Sequence, residues 1–329
     1  MLLLFFSTFC FVNMNIVFMG TPDFAVASLR AIHAQFPIAA VVTVPDKPKG
    51  RGLEVQASAV KKVALELGIS TILQPESLRD PDFIRALDEI APDIIAVVAF
   101  RILPRDVYTL ARLGAFNIHG SLLPKYRGAA PINWAIVSGD AVSGVTSFLL
   151  AESVDTGAML GTRTIAIADG MTAGELHDAL MPLGAELAVE TCSMLASGAI
   201  TPLPQNDTEA TKAPKIFRET CRIDWSKAAM PLRNFIHGMS PHPGAWTQMP
   251  DGKTMKILRC AIAPSQKHDF TPPLEQGAFR IQHGEWFVGC EDAGVLQLTS
   301  IQAEGKRVMD VHEYLRGYRG ESAGKFGGE

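Results

Sequence analysis

Apolar runs alternate with amphipathic segments along the first two-thirds of the chain. The runs at residues 15–20, 38–44 and 93–100 are almost wholly apolar, as strands are when crossover helices cover both faces of their sheet. Between them, residues 58–67 and 81–90 repeat apolar positions at the spacing of a helix. Strand alternating with helix predicts an α/β fold with a doubly wound, mostly parallel, Rossmann-like sheet.

The pattern changes in the last third of the chain, where runs of strand length dominate. A polar segment with prolines precedes them, and we predict a linker at residues 204–221. The strand-like runs beyond it lie at residues 256–263, 278–283, 286–290 and 295–301. We therefore predict a larger domain over residues 14–203 and a smaller, OB-like β-barrel over residues 222–329.

The first 13 residues, MLLLFFSTFCFVN, do not fit either domain. They are apolar, but no Lys or Arg precedes the run and no small-residue cleavage site follows it. The run is also too short to span a bilayer. Because the first strand pattern begins just after Met14, we expect residues 1–13 to be an over-extended gene start, with a weak membrane or export segment as the alternative.

Charge is distributed unevenly along the chain. The 329 residues carry a formal net charge of −4, without the basic excess that nucleic-acid binders usually show. Residues 211–260 nevertheless hold nine Lys and Arg against three Asp and Glu. Over residues 204–329 the balance is 16 basic to 15 acidic residues, so a positive surface should be confined to a narrow stripe.

The five cysteines show neither metal-ligand spacing nor a C-x-x-C pair. Scattered thiols of this kind are typical of a reduced, cytoplasmic protein. We therefore expect a cytoplasmic protein without a bound metal.

Two polar residues stand out near the end of a predicted strand over residues 115–119. Side chains two positions apart in a strand share a face, so Asn117 and His119 should point the same way. The carboxyl ends of parallel strands are where open α/β sheets bind their ligands. Taken alone, however, two such residues more often satisfy buried backbone groups.

Two loops add to this picture. Residues 121–131 contain one glycine and two prolines, and a loop shaped in this way can offer backbone groups to a planar ligand. Asp155 lies in a later loop and is followed closely by Gly157. On its own, an Asp in this position is more typical of a turn than of acid–base chemistry.

The motifs around these residues resemble a known family. The run NIHGSLLPKYRGAAPI, followed later by VDTG, is similar to the signature of enzymes that use 10-formyltetrahydrofolate. The runs MNIVFMGTPDFAVASL, VPDKPKGRG and KIFRETCRIDWS resemble the methionyl-tRNA formyltransferase family in particular. The resemblance covers residues 14–318. It implies formyl transfer from 10-formyltetrahydrofolate to the α-amino group of initiator methionyl-tRNA, for translation initiation, with no metal, membrane or obligate protein partner.

The resemblance also implies roles for the two loops and the strand. Asn117 and His119 resemble the donors that stabilise the oxyanion of formyl transfer, and His119 also resembles the group that takes the proton. Asp155 resembles the carboxylate that orients its imidazole. The folate pocket is implied to be lined by Ser121, Leu122, Leu123 and Pro124.

Contact with tRNA is implied for cations in both domains. Arg51, in the loop over residues 46–52, matches a position that reaches the acceptor end of the tRNA, and Lys47 and Lys49 flank it. Without the resemblance this loop would be interpreted as an exposed surface turn, and its glycines and prolines predict few regular backbone hydrogen bonds. The C-terminal stripe is expected to contain Lys212, Lys215, Arg218, Arg222, Lys227 and Arg233. The alternative is that these cations only solvate the linker.

Three other functions remain open on the sequence alone. The chain could be another 10-formyltetrahydrofolate-dependent enzyme that acts on glycinamide ribonucleotide or a sugar nucleotide. It could be a formyltetrahydrofolate hydrolase, although the long fused dehydrogenase common in that class is absent. It could also be an RNA-binding module with an inactive α/β domain, which the intact Asn117, His119 and Asp155 argue against.

Overall fold

The computed structural model describes residues 14–49, 54–264 and 270–327. The prediction for residues 1–13 and the position of Arg51 lie outside this range, and so does the side chain of Lys49. Two compact units make up the chain, and they are interleaved along the sequence. The first contains the residues up to Pro124, Gly144–Arg163 and Leu180–Ala210, and the second contains the remainder. The predicted domain limits follow sequence order instead and stay a prediction.

In the described part of the first two-thirds of the chain there are ten strands and six helices. From the N-terminal side they are β1 (Ile16–Gly20), α1 (Asp23–His33), β2 (Ile38–Val42), β3 (Lys47–Lys49), β4 (Glu54–Gln56), α2 (Ala59–Glu66), β5 (Ile72–Leu73), α3 (Pro81–Ile90), β6 (Ile94–Val98), α4 (Arg105–Tyr108), β7 (Gly114–His119), β8 (Arg127–Gly128), α5 (Pro131–Val137), β9 (Val142–Leu149), β10 (Met159–Ala166) and α6 (Ala173–Ser197).

The remaining elements are mostly strands. They are β11 (Lys212–Ala213), α7 (Ala229–Gly238), β12 (Ala245–Gln248), β13 (Thr254–Ile262), β14 (Ala278–Gln282), β15 (Glu285–Gly289), β16 (Val295–Ala303), β17 (Met309–Asp310), α8 (Val311–Gly317) and β18 (Ala323–Lys325).

The large sheet has the strand order β10-β9-β7-β6-β1-β2-β5. Strand β1 pairs in parallel with β2 on one side and with β6 on the other. β6 and β7 are also parallel, whereas β7 and β9 are antiparallel. All five residues of β1 and of β6 are buried, as their apolar sequences require. The predicted doubly wound, mostly parallel sheet is therefore confirmed.

The C-terminal sheet is antiparallel and curled, with the order β12-β13-β16-β15-β14-β18. The two edge strands of this sheet, β12 and β18, are linked near their ends: the N–H of Gly327 donates to the carbonyl oxygen of Gln248 at 2.9 Å. Trp286 is fully buried in its core, with ring centroids 5.4 Å from Phe279 and 5.5 Å from Tyr318. The predicted small barrel is confirmed as this curled, partly open sheet.

The loop over residues 46–52 differs from its prediction. We expected few regular backbone hydrogen bonds there, but β3 and β4 form an antiparallel pair in which Lys47 lies opposite Gln56. Its base is also anchored, because the Asp46 carboxylate accepts hydrogen bonds from Lys61 Nζ at 2.5 Å and Gln74 Nε2 at 2.8 Å. The hydrogen bond from Lys61, followed by that from Gln74, lowers the pKa of Asp46. The described ends of this loop are therefore ordered by tertiary contacts.

Helix α6 is the one helix of the described ranges whose length and hydropathy would let it cross a membrane. Its side chains pack on the large sheet: Leu187 and Cys192 are fully buried, and the Cα of Gly184 faces Ile118 of β7 closely enough that a Cβ would lie 3.3 Å from its Cγ2. The buried core helices of soluble proteins can have the same length and hydropathy, and α6 packs as a core helix does.

Candidate active site

The carboxyl ends of three parallel strands lie side by side at one edge of the large sheet. In sequence order the chain moves from β1 to β2 and β5, then returns to the other side of β1 as β6 and β7. Such a reversal is the point at which doubly wound folds bind ligands. Gly20 ends β1 there, and a Cβ on it would lie 2.8 Å from the Cβ of Ala25 and 3.1 Å from the Val98 oxygen. Only glycine lets helix α1 approach so closely.

Strand β7 carries the two polar residues that the sequence singled out. His119 is opposite Thr146 of β9, and Asn117 is opposite Phe148. Between them, Ile118 is buried on the other face of the sheet. His119 is only 5% exposed, whereas Asn117 is half-buried. The strand therefore presents an amide and an imidazole on one face, as expected from their spacing.

Asp155 lies beside His119. The distance from Nδ1 of His119 to Oδ2 of Asp155 is 3.8 Å, and the two side chains are 6% and 11% exposed. The imidazole also meets the ring of Phe148 edge-on, with centroids 6.3 Å apart. The 3.8 Å separation exceeds a hydrogen bond, but catalytic hydrogen bonds are often long before substrate binds. A largely buried carboxylate is thus placed to orient the imidazole.

The loop that carries Asp155 has a constrained backbone. Asp155 has a φ of 57°, a left-handed conformation that costs a non-glycine residue about 1–3 kcal/mol and needs support from its surroundings. Gly157 passes so close to β9 that a Cβ would lie 1.6 Å from the Leu149 oxygen. The side chain of Gln205 supplies support: its Nε2 donates to the carbonyl oxygens of Asp155 and Gly157, both at 2.8 Å.

Gln205 was missed by reasoning from the sequence. It lies in the segment predicted to be a linker, and no motif points to it. Only the fold brings its amide to the Asp155 loop. Thr146 was missed for a similar reason, because its role depends on the pairing of β7 with β9.

The segment assigned to the folate pocket is held by Thr146. The Thr146 hydroxyl donates to the carbonyl oxygen of Ser121 at 2.7 Å and accepts from the N–H of Leu123 at 3.1 Å. Ser121 and Leu123 are buried, whereas Leu122 and Pro124 are half-buried. The backbone is therefore fixed, and the partly exposed apolar surface comes from Leu122 and Pro124. This surface suits one face of a flat, heteroaromatic ligand.

Among the described residues, no group of three His, Cys, Asp or Glu side chains could hold a metal ion. Burial raises the pKa of the Cys192 and Cys260 thiols. Neither thiol is therefore an activated nucleophile.

Comparison with known proteins decides the family. The family model described as formyl transferase matches residues 14–192. The model of the formyl transferase C-terminal domain matches residues 215–319. The chain belongs to the formyl transferase family. Both matched ranges contain the predicted motifs.

Relatives within this family are similar along almost their whole length. A methionyl-tRNA formyltransferase from Parabacteroides distasonis is 42% identical over 318 residues, which cover 93% of this chain and 96% of the relative. One from Chlorobium phaeovibrioides is 44% identical over 318 residues and covers 95% of this chain and 98% of the relative.

Two solved structures determined with folate compounds share the fold. WlaRD, a sugar 3N-formyl transferase crystallised with dTDP and 5-N-formyl-THF, aligns with a TM-score of 0.64 at 19% identity, over 89% of this chain and 99% of that chain. HypX from Aquifex aeolicus in complex with tetrahydrofolic acid aligns with a TM-score of 0.62 at 17% identity, over 92% of this chain. This chain spans about half of HypX, since the alignment covers 47% of it.

The cations proposed from the family resemblance have differing surroundings. Lys47, Lys212, Lys215 and Arg218 are exposed. Lys215 Nζ lies 5.5 Å from the ring centroid of Phe217. Arg233, in contrast, is ion-paired with Asp169 at 2.6 Å and its side chain is 13% exposed. Its place in the positive stripe stays a prediction, although its charge is already paired with that of Asp169.

Lys227 is a weaker member of the same stripe. Its Nζ lies 3.7 Å from the Asp224 carboxylate, and both side chains are well exposed. An exposed pair of this kind is worth little, so Lys227 can still exchange its partner for a phosphate.

Proposed function

We propose that this chain transfers the formyl group of 10-formyltetrahydrofolate to the α-amino group of initiator methionyl-tRNA in the cytoplasm. The observation that carries the proposal is the buried His119–Asp155 pair, which lies beside Asn117 at the ligand-binding edge of the sheet. The nearly full-length similarity to methionyl-tRNA formyltransferases supports the choice of acceptor.

The three polar side chains fit the needs of amine formylation. An α-amine has a pKa of roughly 7.7–8.0, so a neutral nucleophile is present near pH 7 without a strong base. 10-Formyltetrahydrofolate supplies the formyl carbon and releases its own nitrogen as the leaving group. The Asn117 amide can donate to the formyl oxygen, on which negative charge develops, and it is already held on a rigid strand.

His119 moves the proton in this proposal. Its imidazole takes the proton that the attacking amine loses and returns it to the departing nitrogen, so no proton is gained or lost overall. Asp155 faces Nδ1, which leaves Nε2 for the reacting groups. The carboxylate thus fixes the ring and stabilises its positive charge during transfer. No covalent link to the protein is required.

The folate is proposed to lie in a pocket lined by residues 121–124, in which Leu122 and Pro124 supply the partly exposed apolar surface. The tight Thr146 contacts keep this wall in place before the ligand arrives. A wall that is ordered in advance lowers the entropic cost of binding.

Acceptor choice is proposed to depend on the cations. Lys47, Lys49 and Arg51 follow the second strand of the sheet, whose carboxyl end lies at the ligand-binding edge. Lys212, Lys215 and Arg218 are proposed to contact the tRNA body. Exposed Lys and Arg side chains suit contact with phosphates, whereas an Arg fork can also read a base edge.

The decisive experiment offers three amines to the full chain with 10-formyltetrahydrofolate: initiator methionyl-tRNA, free methionine and a sugar-nucleotide amine. We expect efficient formylation of methionyl-tRNA alone. Preferential formylation of the sugar-nucleotide amine would assign the chain to the other class of acceptor and refute the proposal.

A further inference from the structure

An aromatic and cationic hollow in the second unit has no role in the chemistry described above. It has a volume of about 410 Å³ and is lined by Arg218, Glu219, Arg222, Trp246, Gln248 and Thr254. Its volume falls in the range of small-ligand pockets, roughly 300–1,000 Å³. The side chains that line it include an indole, two guanidinium groups and a carboxylate, a combination that constrains what can bind.

Trp246 is held in a fixed orientation. Its indole N–H donates to the carbonyl oxygen of Arg218 at 2.8 Å. Its backbone oxygen accepts a hydrogen bond from the N–H of Ile223 at 2.8 Å. Trp246 also forms a parallel β-bridge with Arg222. The polar edge of the indole is therefore satisfied by the protein, while the residue stays half-buried. What remains for a ligand is its π surface.

Two arginines flank this ring. The Cζ of Arg218 is 5.9 Å from the ring centroid and the Cζ of Arg222 is 6.0 Å from it. Both distances lie at the outer limit of a cation–π contact, about 6 Å, so the guanidinium groups do not cover the ring tightly. Neither arginine forms an ion pair among the described residues, unlike Arg233 and Arg259 of the same unit.

The carboxylate in the hollow helps to choose the ligand. Glu219 would repel a bare phosphate, but a carboxylate accepts hydrogen bonds from the amino groups on base edges. Gln248 can donate to or accept from the same edges. Aromatic rings and guanidinium planes are the surfaces on which proteins stack unpaired bases. The set therefore matches a nucleotide better than an isolated anion.

We propose that this hollow binds an unpaired nucleotide of the tRNA, whose base stacks on Trp246 while Arg218 and Arg222 neutralise the adjoining phosphates. The inference rests on the proposed function, since tRNA is the nucleic acid that function supplies. It changes the role of Arg218 from a general phosphate contact to part of a base-stacking site, and it adds Trp246 to the binding surface.

Fluorescence tests the stacking directly. A base stacked on an indole quenches its emission, and deacylated initiator tRNA can be used as the probe without any formyl transfer. Of the four tryptophans, Trp225 and Trp286 are buried, so Trp134 is the matched control. We expect tRNA to quench the emission of the wild-type protein. Trp246→Phe should lose most of this quench but bind tRNA with the wild-type affinity, whereas Trp134→Phe should retain the quench.

Affinity and its salt dependence give an independent readout. Base–aromatic stacking is worth about 1–3 kcal/mol, so Trp246→Leu should raise the Kd for deacylated tRNA roughly 5- to 150-fold. The slope of log Kd against log salt should stay the same, because no charge is removed. Arg218→Ala and Arg222→Ala should each reduce the slope by about one. Arg280→Ala is the matched control, since Arg280 also lies over an aromatic ring, 5.3 Å from that of Phe270.

The outcomes separate the possibilities. One set of results would overturn the inference: both arginine variants lose affinity, Trp246→Leu keeps the wild-type Kd, and Trp246→Phe retains the quench. The arginines would then contact phosphates, and no base would stack on Trp246. Trp246→Phe also keeps the test valid if Trp246→Leu does not fold. Because the probe is deacylated tRNA, a wild-type chain that shows the Trp246-dependent quench but formylates a different amine would refute the proposed function and leave this inference supported.

Discussion

Gln205 offers the most informative single test of how the loop that carries Asp155 is held. Its side-chain amide donates hydrogen bonds to the carbonyl oxygens of both Asp155 and Gly157. These bonds span the residue whose backbone is left-handed, so they oppose relaxation of the loop. In Gln205→Ala both bonds are lost while Asn117, His119 and Asp155 are all retained. The variant therefore perturbs the position of Asp155 without removing any group that we propose to meet substrate.

The size of the effect follows from these two bonds. A neutral hydrogen bond contributes a net 0.5–1.5 kcal/mol, about 1–3 kcal/mol for the pair. If that energy holds Asp155 next to His119, kcat should fall roughly 5- to 150-fold, at about 1.4 kcal/mol for each tenfold change. The KM values for 10-formyltetrahydrofolate and methionyl-tRNA should change little, because the bonds support the transition state rather than ground-state binding.

Initial rates of methionyl-tRNA formylation, measured at saturating and at limiting concentrations of each substrate, give the kcat and KM values needed. Gln205→Glu keeps the shape of the side chain but places an acceptor against two carbonyl oxygens, so it should be impaired at least as strongly as Gln205→Ala. Gln302→Ala is the control, since Gln302 also donates to a backbone carbonyl, that of Lys306, at 3.0 Å. Wild-type kcat in a folded Gln205→Ala protein would show that the loop holds its own conformation and would refute the argument.

Three further predictions concern catalysis, acceptor choice and stability. Asn117→Ala and His119→Ala should each lower kcat roughly 10²- to 10³-fold with circular dichroism unchanged; turnover near wild type would remove that residue from the mechanism. Arg51→Ala should narrow the kcat/KM advantage of initiator over elongator methionyl-tRNA, by up to about 1–3 kcal/mol, whereas Lys49→Ala should weaken both equally; an unchanged ratio in Arg51→Ala would place specificity elsewhere. Burial, aided by nearby arginines, lowers the pKa of His237 from 6.5 to about 4, so the unfolded chain binds the proton more readily. The free energy of unfolding should therefore decrease as the pH falls from 6.5 to about 4. In urea titrations, the free energy of unfolding of His237→Gln should depend less on pH than that of the wild type. Equal pH dependence in the two proteins would contradict this prediction.

The sequence by itself determined the class of the fold and the strand face that carries Asn117 and His119. The apolar runs that became β1, β2 and β6 can be buried only on both faces of a sheet, and helical segments between them require parallel connections. Strand periodicity placed Asn117 and His119 on one face without any knowledge of the fold. These features are local, because each depends on residues a few positions apart.

Other features were decided by the tertiary structure alone. Gln205 and Thr146 each act through two hydrogen bonds to a segment far away in sequence, and a lone Gln or Thr carries no periodic signal. The hairpin of β3 and β4 formed where charged residues and prolines indicated an irregular loop. Its ends are fixed by pairing and by the contacts of Asp46 with Lys61 and Gln74, which local propensity does not encode.

Charge shows the same division most clearly. From the sequence we predicted Arg233 and Arg218 to be equal members of a positive stripe, because the sequence shows the charge of a residue but not its ion-pair partner. Folding places Asp169 against Arg233 and leaves Arg218 beside Trp246. Whether a cation is neutralised depends on which side chains meet it in space, and those contacts exist only once the chain has folded.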